Sequence, residues 1–321
     1  MQSTFVDLFC GAGLFSASWA KKFRSVYALD VDGDAIRTYR QNVAPVGEVG
    51  NACIVSADLR CDILVAGPPC QGFSTLGRRD PADTRNALSG VIPRWAASTS
   101  ASVVVVENVP PFVGSTHWQE MQDGLDRLDY EITVWTLDAV DFGCAQRRRR
   151  SFTVASKVGL PKEPEPTHAG RPRTVAEALD KPPIKATDPM HIWPIHSDLS
   201  MKRIALVPSC GDKRDLIAVA PQLCPESWFR LRDQATDVFG RIDPDEPANT
   251  LRCEFQNPSK GRYLHPTENR TLSLREASRL QGLPDEWEFV GGPTSVARQI
   301  GNGVPVELGD AVVRAIAQVL V

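Results

Sequence analysis

Thr4-Phe5-Val6-Asp7-Leu8-Phe9-Cys10-Gly11-Ala12-Gly13-Leu14 passes from an apolar, β-branched run, through two glycines, into residues with helical spacing. A strand that turns on glycine into a helix opens an α/β unit, and glycine lets a ligand approach the backbone closely. Gly11, Ala12 and Gly13 are therefore a candidate ligand loop. Asp30, at the end of the next β-branched run, can accept from ribose hydroxyls or can cap the helix behind it. Gly-x-Gly turns also occur without ligands. The third glycine of a dinucleotide fingerprint is missing, so a single adenosyl group fits the loop better.

Outward from this unit, short apolar runs alternate with helical stretches. Strands are expected at Thr4 to Phe9, Val26 to Asp30, Asp62 to Ala66, Val103 to Glu107, Ile132 to Leu137 and Ser151 to Ala155. Helices are expected at Leu14 to Phe23, Ala35 to Asn42 and Trp118 to Leu128. This alternation predicts an α/β fold with a doubly wound, mostly parallel sheet. After Ala155 the texture changes. Pro161, Pro164, Pro166, Pro172, Pro182, Pro183, Pro189 and Pro194 interrupt the chain too often for long helices or central strands. The expected division is a first domain over 1–157, a smaller loop-rich lobe over 158–270, and a segment over 271–321 that returns to the first domain. That last segment reads as a helix at Leu274 to Gln281, a turn at Gly291 to Pro293, and a helix from about Pro305 to Leu320.

At 321 residues, 42 % apolar and 23 % charged, the chain can bury a sizeable core, and no apolar run is long enough to cross a bilayer. The start lacks a signal-peptide pattern, which predicts a cytoplasmic protein. Cys10, Cys53, Cys61, Cys70, Cys144, Cys210, Cys224 and Cys253 are scattered, with neither a disulfide framework nor zinc spacing, so no metal is expected. A net charge of -3 argues against binding nucleic acid by bulk positive charge. Local attraction would fall to Arg147 to Arg150, Arg78 with Arg79, Lys202 with Arg203, Lys213 with Arg214, or Arg230 with Arg232, each of which also reads as a solvated face.

Two segments at predicted strand ends carry chemistry. Gly67-Pro68-Pro69-Cys70-Gln71-Gly72-Phe73-Ser74 puts a cysteine between a rigid approach and a glycine-rich exit, at the sheet edge where open α/β folds bind ligands. A buried structural cysteine is the alternative. Glu107-Asn108-Val109-Pro110 brings a carboxyl out of the apolar run Val103 to Val106 at the same edge. Partial burial raises such a carboxyl's pKa and suits it to donate a proton, although a satisfied structural glutamate is also possible.

Together with Asp7 to Gly13, the ordered series Gly67 to Ser74, Glu107 to Val109, Gln146 to Arg150, Arg275 to Asp285 and Gln299-Ile300-Gly301-Asn302-Gly303-Val304-Pro305 resembles the motifs of DNA cytosine-5 methyltransferases across nearly the whole chain. Leu14 stands where that family commonly has a second consecutive glycine, and Asp30 where it more often has glutamate. The resemblance implies an S-adenosylmethionine-dependent methyltransferase fold, a target-recognition lobe, and methyl transfer to C5 of a flipped-out cytosine in duplex DNA. Cys70 is then the nucleophile at C6 and Glu107 the proton donor at N3. Arg148 would bind the base's O2, while Arg150 would orient the loop or phosphates. The resemblance also implies a cofactor site of Phe9, Gly11, Ala12, Gly13, Asp30, Asp58, Leu59, Pro69 and Asn302. Gln71, Ser74, Arg85, Asn86, Gln146 and Thr250 would meet DNA.

Rival readings are cytosine-5 methylation of RNA and a catalytically silent DNA-binding scaffold; a nucleotide-dependent oxidoreductase would explain only the glycine loop. A monomer is expected, with a cognate restriction endonuclease as a possible separate partner.

Overall fold

The computed structural model describes residues 2–55, 58–69 and 84–320, without the side chains of residues 84–87. Strands β1 (Thr4–Leu8), β2 (Arg24–Asp30), β3 (Gly47–Val49), β4 (Ile63–Ala66), β5 (Val103–Asn108), β6 (Glu131–Asp138) and β7 (Arg149–Ser156) form one seven-stranded sheet in the order β3-β2-β1-β4-β5-β7-β6. The pairings among β1 to β5 are parallel, whereas β7 runs antiparallel to both β5 and β6. The expected mostly parallel, doubly wound sheet is therefore present.

Helices α1 (Leu14–Ala20), α2 (Gly33–Asn42), α3 (Ile92–Thr99) and α4 (Thr116–Asp126) accompany the strands, and a 3-10 segment, Thr84–Val91, leads into α3. Alternate residues of the central strands serve opposite faces, as a strand's period of two requires. Phe5, Ile63, Val65, Val103 and Val105 share a core with Phe15 and Trp19 of α1, while Val6, Leu64, Ala66, Val104 and Val106 share another with Trp95 of α3 and Met121 of α4.

The lobe region holds only short helices: α5 (Val175–Asp180), α6 (Asp198–Leu206), α7 (Lys213–Val219) and α8 (Glu226–Arg230). Its own small core gathers Ile204, Val207, Leu216, Phe239 and Leu264. Beyond it come α9 (Leu274–Leu280), α10 (Pro293–Asn302) and α11 (Val306–Ile316). Leu308, Val312 and Ile316 of α11 enter the core on the α1 face, and the Ser18 hydroxyl donates to the Val306 carbonyl at 3.1 Å.

Elements outside the expected spans include β3, α3 and α10. β3 is only three residues long, too short to show periodicity. α10 begins where the expected turn at Gly291 to Pro293 ends; Pro293 occupies its first turn, where the missing N–H costs no intrahelical bond.

Candidate active site

β1 pairs with β2 on one side and β4 on the other, so the chain reverses its winding direction at β1. Ligands of open α/β sheets bind outside the carboxyl ends of the strands at such a point. Phe9 to Gly13 leave β1 there, Val31 leaves β2, Gly67 to Pro69 leave β4, and Asn108 ends β5. Because β7 is antiparallel, its beginning lies at this same edge, with Glu107 opposite Phe152 and Asn108 opposite Ser151.

The glycine loop is held from below by Asp30. Its Oδ2 accepts the Gly11 N–H at 2.8 Å and its Oδ1 accepts the Asp32 N–H at 2.9 Å. Asp32, not Asp30, caps α2, accepting from the Asp34 and Ala35 amides, so the capping alternative for Asp30 falls away. Burial raises the Asp30 carboxyl above its ordinary pKa, although the amide bonds oppose the shift. Gly11 has φ 52° and nothing within 4 Å of where a Cβ would stand, while Gly13 (φ 83°) faces Val43 and Tyr39 at 2.7 and 2.8 Å. Gly11 thus borders open space and Gly13 permits tight packing. Beside Asp30, Val31, Val49 and Ile54 expose 70, 60 and 80 % of their surface, an apolar rim at the strand ends.

Beneath the loop, Ser16 donates to the carboxyl of buried Asp7, whose pKa burial pushes up to about 7, against the Ser16 bond and with help from the Asp30 charge. Sequence reasoning passed over Asp7 as an interruption of a strand; a carboxyl inside an apolar run was the available signal.

At the other end of the edge, Arg150 Nε lies 2.8 Å from Glu107 Oε1. Burial raises the Glu107 carboxyl, and the charges of Arg150 and Arg148 oppose it. A Cβ on Gly67 would stand 3.7 Å from Glu107 Oε2 and 3.9 Å from the Phe9 carbonyl, so the β1, β4 and β5 ends converge there. Asn108, 3 % exposed, donates to the Pro68 carbonyl at 3.2 Å, and Ser151 donates to the Asn108 and Val109 carbonyls. This grip on the Pro68-Pro69 approach was not anticipated.

The arginine run divides by exposure: Arg147 and Arg149 are exposed, Arg150 is half-buried, and Arg148, just before β7, is 2 % exposed. Arg148 donates to the Leu251 and Gly301 carbonyls, both at 2.8 Å. Its burial and these bonds correct the expectation that it binds a base; Arg150 is the arginine at the Glu107 carboxyl. Gln146 needs a second correction. Expected to face DNA, it is 0 % exposed, donating to Leu280 O and Gln281 Oε1 and accepting from the Leu251 amide. Thr250 is half-buried and donates to the Arg147 carbonyl at 2.7 Å.

Phe9, Leu59 and Pro69 are half-buried, Ala12 is buried, and Asp58 is exposed. Asn302, exposed at the end of α10, accepts from the Cys253 thiol at 2.9 Å. Cys70, Gln71 and Ser74 lie outside the described residues, and Arg85 and Asn86 are described by backbone alone. Among the described residues no group of three or more His, Cys, Asp or Glu side chains could hold a metal ion, and no helix is long and apolar enough to cross a membrane.

Several known proteins resemble this chain in fold or sequence. The Entamoeba histolytica methyltransferase EhMeth superposes with a TM-score of 0.73 at 15 % identity over 100 % of this chain and 99 % of that one. A DNA modification methyltransferase encoded within an E. coli prophage gives 0.67 at 22 % identity, covering 99 % of each chain. These likenesses show the fold. In sequence, the Type II methyltransferase M1.HphI of Haemophilus parahaemolyticus is 29 % identical over 98 % of this chain and 87 % of its own length. M.PspPI of Psychrobacter sp. is 30 % identical over 98 % of this chain and 79 % of its own. The profile described as C-5 cytosine-specific DNA methylase matches residues 3–318, and the chain belongs to that family of enzymes.

Proposed function

We propose that the protein transfers a methyl group from S-adenosylmethionine to C5 of a flipped-out cytosine at a short sequence in duplex DNA, through a covalent Cys70 adduct at C6. The observation that carries this reading is the Glu107–Arg150 pair at the sheet edge, beside the Gly67-Pro68-Pro69 approach to Cys70.

The cofactor edge fits an adenosyl group. Gly11 borders open space, Val31, Val49 and Ile54 give an apolar rim for a flat base, and Asp30 keeps acceptor capacity beyond its two amide bonds. Phe9, Leu59 and Pro69 would flank that group, with Asp58 and Asn302 at its margins. When bound, S-adenosylmethionine supplies an electrophilic methyl on sulfur.

The Cys70 thiolate adds to C6, which breaks the base's aromaticity and makes C5 nucleophilic; once C5 carries the methyl, loss of the C5 proton and expulsion of the Cys70 thiolate from C6 restore the ring and free the enzyme. Glu107, whose carboxyl burial pushes above its ordinary pKa against the charges of Arg150 and Arg148, donates to N3 as that electron density develops. Arg150 holds the Glu107 carboxylate in place and is the cation available to the base's O2, the role that the family resemblance implied for Arg148. Residues 158–270 would read the target, and the energy of extracting the base, about a few kcal/mol, would be recovered in contacts with the enzyme. The Type II names of the relatives support a restriction-modification setting; a cytoplasmic monomer acting apart from a cognate endonuclease is part of the proposal.

The test is exposure of unmethylated plasmid DNA to the protein and S-adenosylmethionine, with 5-methylcytosine mapped at single-base resolution. Methylation at one short sequence, lost in Cys70→Ala, supports the reading. Methyl incorporation into tRNA and not plasmid would overturn the DNA assignment.

A further inference from the structure

Gln146, Arg148 and Gln281 are polar side chains with 0, 2 and 0 % exposure, far apart in sequence and joined in one network. Gln146 bridges the end of α9 to Leu251, Arg148 bridges Leu251 to Gly301, and the Gln281 amide donates to the Ile300 carbonyl at 2.6 Å. Ile300 and Gly301 lie in the last turn of α10, where carbonyls run out of i+4 partners; the Ile300 carbonyl also accepts the Gly303 N–H at 3.2 Å, and Arg148 serves the Gly301 carbonyl. The next residue, Asn302, is exposed and is one of the residues proposed for the cofactor margin. Two residues after Arg148, Arg150 meets Glu107 on the proposed base side.

We infer that Arg148 is a positioning residue: by holding the Leu251 and Gly301 carbonyls, it locks the end of α10 that carries Asn302 to the strand that carries Arg150, coupling the cofactor and base halves of the site. This assignment rests on the functional reading above.

Arginine is suited to the task, since its planar fork can serve two carbonyls on separate segments at fixed angles, whereas a lysine ammonium is a single point on a flexible stem. A buried cation is a poor choice for stability alone, because apolar side chains of similar volume often serve as well. The site keeps the charge although burial lowers the Arg148 pKa to about 9 and its Nε finds no partner among the described residues. The surroundings are close-fitted: a Cβ on Gly301 would lie 2.4 Å from the Cys253 amide nitrogen, so this helix end and residues 252–253 cannot shift independently. The coupling is thus short and covalently continuous on the β7 side.

The test compares wild type, Arg148→Met and Arg148→Lys in three measurements: S-adenosylhomocysteine affinity by calorimetry, duplex affinity without cofactor, and single-turnover methyl transfer against pH. In Arg148→Met, S-adenosylhomocysteine should bind roughly tenfold more weakly, within the range of measured site–site couplings. Methyl transfer should slow about a hundredfold, the scale of a misplaced reacting group. Duplex affinity should hold, the alkaline limb of the rate profile should move up as Glu107 loses an opposing charge, and Arg148→Lys should recover part of each loss.

Wild-type affinity, rate and pH profile in a folded Arg148→Met would overturn the assignment. So would equal loss of duplex and cofactor binding, which marks a residue serving the fold alone. Hydrogen exchange on the wild type tests the same coupling without a variant: added S-adenosylhomocysteine should slow amides 149–152 as well as 11–13. Slowing confined to 11–13 would sink the coupling yet leave the functional reading standing, whereas no binding of S-adenosylhomocysteine at all would defeat both.

Discussion

Arg150 Nε sits 2.8 Å from Glu107 Oε1, and each side chain keeps only 14 % of its surface exposed. The pair lies at the edge of the sheet because β7 runs against β5, so that the first residues of one strand stand beside the last residues of the other. Burial pushes the Glu107 proton on while the arginine pushes it off. The net shift is upward, which favours the protonated form that a general acid must present.

Removing the carboxyl's acidity should therefore slow chemistry more than binding. Glu107→Gln keeps the shape and is expected to lower the single-turnover rate by about a hundredfold or more, within the usual scale of general acid catalysis. Duplex affinity should stay near that of wild type. An unchanged single-turnover rate would remove Glu107 from the proton path.

Arg150→Met should act in the opposite sense on the same group. With the nearest positive charge gone, the Glu107 pKa rises further, so its protonated form persists to higher pH. The expected result is a lower maximal rate with the alkaline limb of the pH profile displaced upward. A displacement downward would show that Arg150 does not oppose Glu107 protonation.

Asp30 offers a test of the cofactor edge. In Asp30→Ala the Gly11 and Asp32 amides lose their acceptor, and freeing a buried donor costs about 1–3 kcal/mol, or roughly a ten- to hundredfold change in an equilibrium. S-adenosylhomocysteine affinity, measured by calorimetry, should fall by that order. Full affinity in this variant would remove Asp30 from the site.

Asp7 couples the loop's foundation to pH. Its carboxyl rises from 3.8 to about 7 on folding, chiefly through burial, so the fold favours the protonated form. The corresponding stability is fully present below pH 4 and is lost as pH rises toward about 7, a difference on the order of 4 kcal/mol. Asp7→Asn, which mimics the neutral acid, should flatten the fall in melting temperature between those pH values. Parallel curves for the two proteins would mean that Asp7 is not the titrating group.

The sheet was legible because strands such as Ile63–Ala66 and Val103–Asn108 are led by uninterrupted apolar runs and end in polar or glycine-rich turns. The edge residues Asp30 and Glu107 followed from their places at strand ends. What composition hid was the sorting of the arginines: four in a row look alike, and only entry into a strand separates buried Arg148 from half-buried Arg150. Gln146 misled for the same reason. A polar residue beside a basic run suggests DNA, yet its partners, Leu251 and Leu280, are set by tertiary contacts far along the chain. α10 escaped notice because its proline and glycine are local breakers whose roles, opening a helix and admitting a neighbouring backbone, depend on what packs around them.

The two glycines Gly11 and Gly301 should accordingly fail in different ways when given a methyl group. At Gly301 the new Cβ would stand 2.4 Å from the Cys253 nitrogen and 2.6 Å from the Arg252 carbonyl carbon. Backbone must move, at the cost of overpacking, about 1–3 kcal/mol. At Gly11 no atom lies within 4 Å, and the penalty is the positive φ of 52°, about 1–2 kcal/mol for a residue with a Cβ. Gly301→Ala should thus lower the melting temperature by at least as much as Gly11→Ala. Gly11→Ala should lose more S-adenosylhomocysteine affinity relative to its loss of stability, since its methyl enters the space proposed for the ligand. Equal ratios of affinity loss to stability loss in the two variants would mean that the open space over Gly11 is not where the cofactor binds.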